Sequence, residues 1–437
     1  MTVIIILIFA IILAIPFALA FIKKNFDPFE PIYLWCILFG FLYLVKPAIQ
    51  LIRGTSFRYG GNFLNEALII AITGLLAFYL GYYSKIGKKI ASWIPVIKSE
   101  ISSKKLQIIA WIFIALGFLG LNQYIQISGG WQAFWSRPHG IAGQAHKTTA
   151  YLYQLPELMV IGFLLMCETI IHRKITERKK TGAKGILTLI AAGLGGVGIY
   201  TIIWGSRTLY SWLIIAIIAI YFLKKRARPK LKATIGIIVL LYVVLSLVPV
   251  YRSFMYLGSS FEKFAKNFNP IRDLASPLQS DGDEFHVYLA EVALVPESIG
   301  YDYFNLYGRF FLHPIPRLIW PDKPAFLNSK WDEFLAKSGL GWGSAETMLG
   351  DFYAQLGILA VILGTFLSGI FWKTIYEYLR QNPTNRSVII IYAVILPNMF
   401  TYLAQSAVIA FLKWLPYMAP ATIIALFLAR EKKSPNS

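Results

Sequence analysis

The chain has 437 residues, 57% of them hydrophobic and only 15% charged, with a mean hydropathy of +0.59. Apolar runs of about 20 residues recur along it, which excludes a soluble globular fold and indicates a polytopic membrane protein. The formal net charge of +20 does not signal nucleic-acid binding, because the Lys and Arg cluster beside hydrophobic runs instead of interleaving with aromatics on a polar face.

In chain order, eleven runs are long enough to span a bilayer: 3–22, 31–50, 64–84, 106–126, 151–171, 185–204, 208–223, 233–250, 350–372, 387–405 and 409–428. The expected fold is therefore all-α. It has three parts: eight spans in 1–250, a large loop at 251–349, and three spans with a tail in 350–437. Cys36 and Cys167 both fall within apolar runs, so neither a disulfide framework nor a paired-cysteine zinc site is expected. Gly193-Leu-Gly195-Gly196-Val-Gly198 formally matches a dinucleotide-binding pattern. It lies inside a span, however, where small residues serve close helix packing.

Charge sets the topology. Six Lys/Arg lie between Lys85 and Lys105, six between Arg173 and Lys184, and six between Lys224 and Lys232. Lys23, Lys24, Lys373, Arg380, Arg386, Arg430, Lys432 and Lys433 mark the same side. The positive-inside rule makes that side cytoplasmic and places the N-terminus and the 128–150 and 251–349 loops outside. Reading 1–20 as a cleaved signal peptide fails, since the segment has no basic start and its removal inverts every basic loop.

Within the large loop, Phe285, Tyr288, Leu289 and Val292 recur at helical spacing, with Glu284 and Glu291 on other faces. A second helix is expected from Ser329, with Trp331, Phe334 and Leu335 apolar and Gly339 as its stop. Between them, Tyr307 to Pro324 is punctuated by four prolines and reads as a loop at headgroup depth.

The polar residues of these outer segments are the candidates for chemistry. Arg207 sits in a short connector, Gly205-Ser-Arg-Thr208, as either a snorkelling interfacial charge or a clamp on an anion such as phosphate. Arg309, His313 and Arg317 are spaced by four; Pro314 and Pro316 oppose a continuous helix, but a compact turn can converge them. Two guanidiniums would stabilise a departing pyrophosphate, and His313 has an unperturbed pKa suited to proton transfer. Glu346 reads either as a base for a sugar hydroxyl or, with Ser344, as part of a helix start; Asp351 is a weaker version of the same choice. Substrate contacts are expected from Arg137 and His139, near Trp131, Trp135 and His146, and from Arg252, Trp320 and Lys323. Asp281-Gly-Asp283 is an ordinary turn as much as a cation pair, and no metal or other cofactor is expected. No G-x-S-x-G, P-loop or H-E-x-x-H pattern supports a hydrolase or ATP-driven pump.

The spans, the Gly205-Ser-Arg207 turn, the His313-Pro-Ile-Pro-Arg-Leu-Ile-Trp-Pro-Asp-Lys-Pro324 run and Gly343-Ser-Ala-Glu346 followed by Gly350-Asp-Phe-Tyr353 resemble bacterial Wzy-type O-antigen polymerases. The chain departs from the Arg-x10-Gly loop pattern of some members. The resemblance implies a GT-C-like, metal-independent glycosyltransferase of the cytoplasmic (inner) membrane, serving lipopolysaccharide or related polysaccharide biosynthesis. Its donor and acceptor would be undecaprenyl-pyrophosphate-linked glycans, with a chain-length regulator and a flippase as partners. Arg207, Arg309 and Arg317 would then hold the leaving group, and Glu346 or His313 would activate the acceptor. An O-antigen ligase and a polysaccharide transporter remain as alternatives.

Overall fold

The computed structural model describes most of residues 1–132, 155–194, 207–230, 284–312, 329–340, 346–408 and 418–431, with isolated residues elsewhere. Among the described residues regular structure is helical, and the one strand-like contact is a bridge between Ile101 and Arg430. Six helical stretches are long and apolar enough to cross a membrane: Thr2–Lys23, Pro31–Ile52, Phe63–Tyr83, Ser103–Ile127, Met348–Gln381 and Arg386–Ala404. They coincide with six of the eleven expected spans. Four more expected spans coincide with helices that are shorter or less apolar: Glu157–Ile175, Ala183–Ala192, Arg207–Lys225 and Met418–Leu428. The expected span at 233–250 falls largely outside the described residues.

The first helix shows why a bilayer is needed. Val3, Ile4, Leu7 and Ile11 are exposed along it, whereas Phe9, Leu13 and Ala20 are buried against protein. A helix this apolar, with one face uncovered, is stable only if lipid replaces water there.

The chain folds as two compact units. The first comprises Met1–Pro95, Ser280–Asn382 and Asn398–Lys413. At its centre, the Asn62–Tyr83 helix runs against Met348–Gln381, with Gly81 facing the Phe366 carbonyl and Gly369 facing the Phe78 carbonyl. A Cβ at either glycine would collide with backbone, so the two helices touch main chain to main chain as small residues permit. Trp35 stacks on Phe78 with ring centroids 3.9 Å apart, closing the core from the side of Pro31–Ile52.

Both helices expected in the large loop form, as Glu284–Leu294 and Ser329–Ser338, and Gly339 ends the second with φ 62°. Phe285, Tyr288, Leu289 and Val292 are buried as their spacing predicts. The expectation of a loop from Tyr307 needs correction: Asn305–Leu312 is helical, and the helix ends where Pro314 forbids its continuation.

The Met348–Gln381 helix is broken at Leu356 and Gly357, the latter with φ 63° and ψ −148°. The break leaves the carbonyls of Ala354 and Gln355 without helical donors, and the backbone N–H groups of Asp302 and Tyr303 fill these roles at 2.8 and 3.1 Å. The Gln355 side-chain oxygen accepts from Phe304 N at 2.8 Å. A turn of the large loop is thereby fastened into the gap of a spanning helix.

The second unit comprises Val96–Gln279, Pro383–Pro397 and Trp414–Ser437. Its Ser103–Ile127 and Glu157–Ile175 helices meet at Gly117, Gly120 and Gly162. Gly193 packs on Phe163, as expected for small residues in a span; Gly195, Gly196 and Gly198 lie outside the described residues. Arg386 binds Glu168 bidentately, Nε to Oε1 at 2.9 Å and Nη2 to Oε2 at 2.7 Å, and Lys224 pairs with the same carboxylate. Lys224 also donates to His172 Nδ1 at 2.8 Å. Two cations on a fully buried glutamate satisfy it in the way such burial requires.

Candidate functional site

One cluster of polar residues of the first unit lies where Met348–Gln381 begins. Thr347 is the N-cap, its side chain accepting from Gly350 N at 3.2 Å, and the Tyr43 hydroxyl accepts from Leu349 N at 3.4 Å. Glu346 therefore precedes the cap and is not the helix's first-turn acid. Asp351, fully buried in that first turn, takes this part, where the helix dipole favours a negative charge.

Asp351 is supplied with donors on all sides. The Tyr307 hydroxyl donates to Oδ2 at 3.1 Å and Gln355 Nε2 to Oδ1 at 3.2 Å, and Ser406 and the Val408 backbone hydrogen-bond it as well. These partners come from three separate stretches: the Asn305–Leu312 helix, the next turn of its own helix, and the segment after Ala404. Tyr307 is held as a neutral donor, since burial and then the Asp351 charge push its pKa well above the ordinary phenol value.

Glu291, from Glu284–Leu294, is arranged in the opposite way. Its side chain is 1% exposed, its carboxyl lies directly against Gly350, and neither oxygen has a hydrogen-bond partner among the described residues. Burial, followed by the charge of Asp351, pushes its pKa well above the usual carboxylate range. Glu346 is raised in the same direction by burial and then by Asp351, Glu291 and Asp302. Three carboxyl groups on two segments thus share one neighbourhood beside Tyr307.

A straight helix from Asp351 to Lys373 would rise about 33 Å, the thickness of a bilayer core. Lys373 pairs with Glu30 at 3.4 Å and Glu377 at 3.1 Å. The carboxyl cluster belongs to the other end of that helix.

The expected site residues are distributed unevenly. Glu346 joins the cluster. Arg309 stands on the helix that carries Tyr307 but two positions on, so it projects from another face, where Nε donates to Asn305 Oδ1 at 3.2 Å. Trp320 is exposed, and Lys323 donates to the Ile315 carbonyl at 2.7 Å. Arg207 is the first described residue of the Arg207–Lys225 helix; its side chain, and Gly205 and Ser206 of its expected connector, lie outside the described residues. Arg137, His139, Arg252, His313 and Arg317 also lie outside them. Among the described residues no group of three or more His, Cys, Asp and Glu is arranged to hold a metal ion, and Cys36 and Cys167 are free and buried.

Sequence reasoning missed Glu291 by assigning it to a polar face. The signal that would have found it is a glutamate flanked by Ala290 and Val292 in a short, mostly apolar helix. In the second unit, an open cleft of about 480 Å³ is lined by Glu100 to Lys104, His172, Arg173, Glu177 and Glu431, none of them expected site residues. Compared with protein-family models, with curated proteins and with solved structures, the chain matches none.

Proposed function

We propose that the chain polymerises undecaprenyl-pyrophosphate-linked oligosaccharide repeat units by glycosyl transfer at the outer face of the bacterial cytoplasmic membrane, as its resemblance to Wzy-type polymerases implies. The acceptor hydroxyl oxygen attacks the anomeric carbon of the donor glycan. The bond from that carbon to the pyrophosphate oxygen breaks, its electrons leaving with the lipid pyrophosphate. The hydroxyl proton passes to a carboxylate.

The observation that carries this reading is the carboxyl cluster beside Tyr307, on the helix that also bears Arg309. Glu346 is the base in this scheme, since it stands in the cluster immediately before the cap of the Met348–Gln381 helix. Arg207, Arg309, Arg317 and His313 serve the pyrophosphate end, with Arg137, His139, Arg252, Trp320 and Lys323 along the glycan. The partners are the lipid-linked donor and acceptor, the bilayer, a chain-length regulator and a flippase.

The test is reconstitution of the purified chain with lipid-linked repeat units alone. The proposal expects a ladder of longer glycans, and a loss of about 10²-fold or more in rate for Arg317→Ala and Glu346→Gln with the protein still in the membrane. Product that forms only when lipid A core is added identifies a ligase. Movement of lipid-linked sugar across vesicles with unchanged glycan length identifies a transporter.

A further inference from the structure

Two carboxyl groups near enough to feel each other's charge rarely both ionise in an apolar place. One of them keeps a proton, and the surroundings decide which. Here the surroundings are unequal: Asp351 receives hydrogen bonds from Tyr307, Gln355, Ser406 and the Val408 backbone, while Glu291, fully buried against Gly350, receives none among the described residues. Donors stabilise a carboxylate, and an apolar wall without donors stabilises a carboxylic acid.

We propose that Glu291 and Asp351 form a binding site for one proton, with the proton resident on Glu291 and the negative charge on Asp351. The site does not depend on glycosyl transfer being the reaction. Tyr43 and Tyr288 flank it as uncharged phenols, Tyr288 donating to the Ala67 carbonyl at 2.8 Å. Glu346, raised by burial and by the charges of Asp351 and Glu291, stands beside the pair as a third carboxyl, and Glu66 of the Asn62–Tyr83 helix adds negative potential at Tyr288. The cation of the adjoining segment, Lys46, is engaged with Glu284 at 2.5 Å, and on the Ser329–Ser338 helix Lys337 pairs with Glu333 at the surface. Losing the proton sets two negative charges side by side at the first turn of Met348–Gln381, and the repulsion loosens the turn that presents Glu346.

Infrared spectroscopy of the full chain in detergent at neutral pH tests the assignment. Wild type minus Glu291→Gln is expected to show the carbonyl band of one protonated carboxyl, falling about tenfold per pH unit above its midpoint. A carbodiimide provides the second measurement. The acid O–H adds across its C=N bond, the proton going to nitrogen and the oxygen to the central carbon, and acyl migration leaves a stable N-acylurea. The adduct is expected on Glu291 and not on Asp351. A carboxylate band in that difference spectrum, or an adduct on Asp351 in place of Glu291, overturns the proposal. So does loss of the acid band when sodium is added at fixed pH, which would make the ligand a metal cation.

Discussion

The carboxyl of Glu291 rests on Gly350, so closely that a β-carbon at position 350 would occupy the same space as its oxygens. Glycine is required there by its neighbour, since Gly350 itself has ordinary helical geometry. Gly350→Ala is expected to destabilise the protein by about 1–3 kcal/mol through overpacking. Glu291→Ala should relieve most of that cost in the double variant. Unfolding in detergent of both single variants and the double variant measures the coupling, and simple additivity would show that the two positions do not meet.

Stability should fall as pH rises. A carboxyl whose folded pKa is raised binds its proton more tightly in the native protein than in the unfolded chain, where it titrates at about 4.3 as a free glutamate does. The contribution of Glu291 is therefore complete below that value and is lost as pH climbs through the raised folded one. Across that window wild type is expected to lose up to about 1.4 kcal/mol per pH unit from this group, and Glu291→Gln should lack this component. Parallel curves for the two proteins would remove Glu291 as the source.

Tyr307→Phe deletes the phenol that donates to Asp351 at 3.1 Å. The buried carboxylate then lacks one of its donors, a deficit of about 1–3 kcal/mol. Asn305–Leu312 should also detach more readily, since Tyr307 is one of the residues, with Leu306 and Phe310, that pack it onto Val408. Faster proteolysis within 305–312 in the variant is the measurement.

Gly357 holds φ 63° and ψ −148°, a conformation essentially confined to glycine, with the Tyr301 hydroxyl 2.8 Å from the position of an added β-carbon. Gly357→Ala is expected to cost about 1–3 kcal/mol, and Tyr301→Phe should not rescue it, because the strain lies in the backbone. Thermal unfolding of both variants separates backbone strain from side-chain crowding.

In the second unit, Glu168→Ala leaves Arg386 and Lys224 without their shared counter-charge. A loss of about 3–5 kcal/mol is expected. Adding Arg386→Met and Lys224→Met should recover much of it, as measured by unfolding in detergent.

Much of the frame was legible in the sequence. Apolar runs mark where helices form, because no other backbone arrangement of this length satisfies its hydrogen bonds in lipid, and six of them appear as helices long enough to span. The Phe285, Tyr288, Leu289 and Val292 spacing marked a buried face, and Gly339 marked a stop. Tyr307–Leu312 was misjudged because the prolines that break it begin only at 314, leaving one stretch of helix intact before them.

The candidate site was legible only in part, through Glu346 and, more weakly, Asp351. Local patterns fix what one segment does with its own backbone: where a helix begins, which face is apolar, which side of the membrane its basic end prefers. They do not say which distant groups will stand beside a buried carboxyl. Gln355 reaches Asp351 from the next turn of the same helix, but Tyr307, Ser406 and Val408 come to it from segments distant in the chain, whereas Glu291 is left against Gly350. The sequence by itself determined a helical membrane protein with its polar residues concentrated in a large loop. Tertiary structure decided which of two buried acids is given donors and which is denied them, since solvation in a protein interior is set by neighbours that have no fixed separation along the chain.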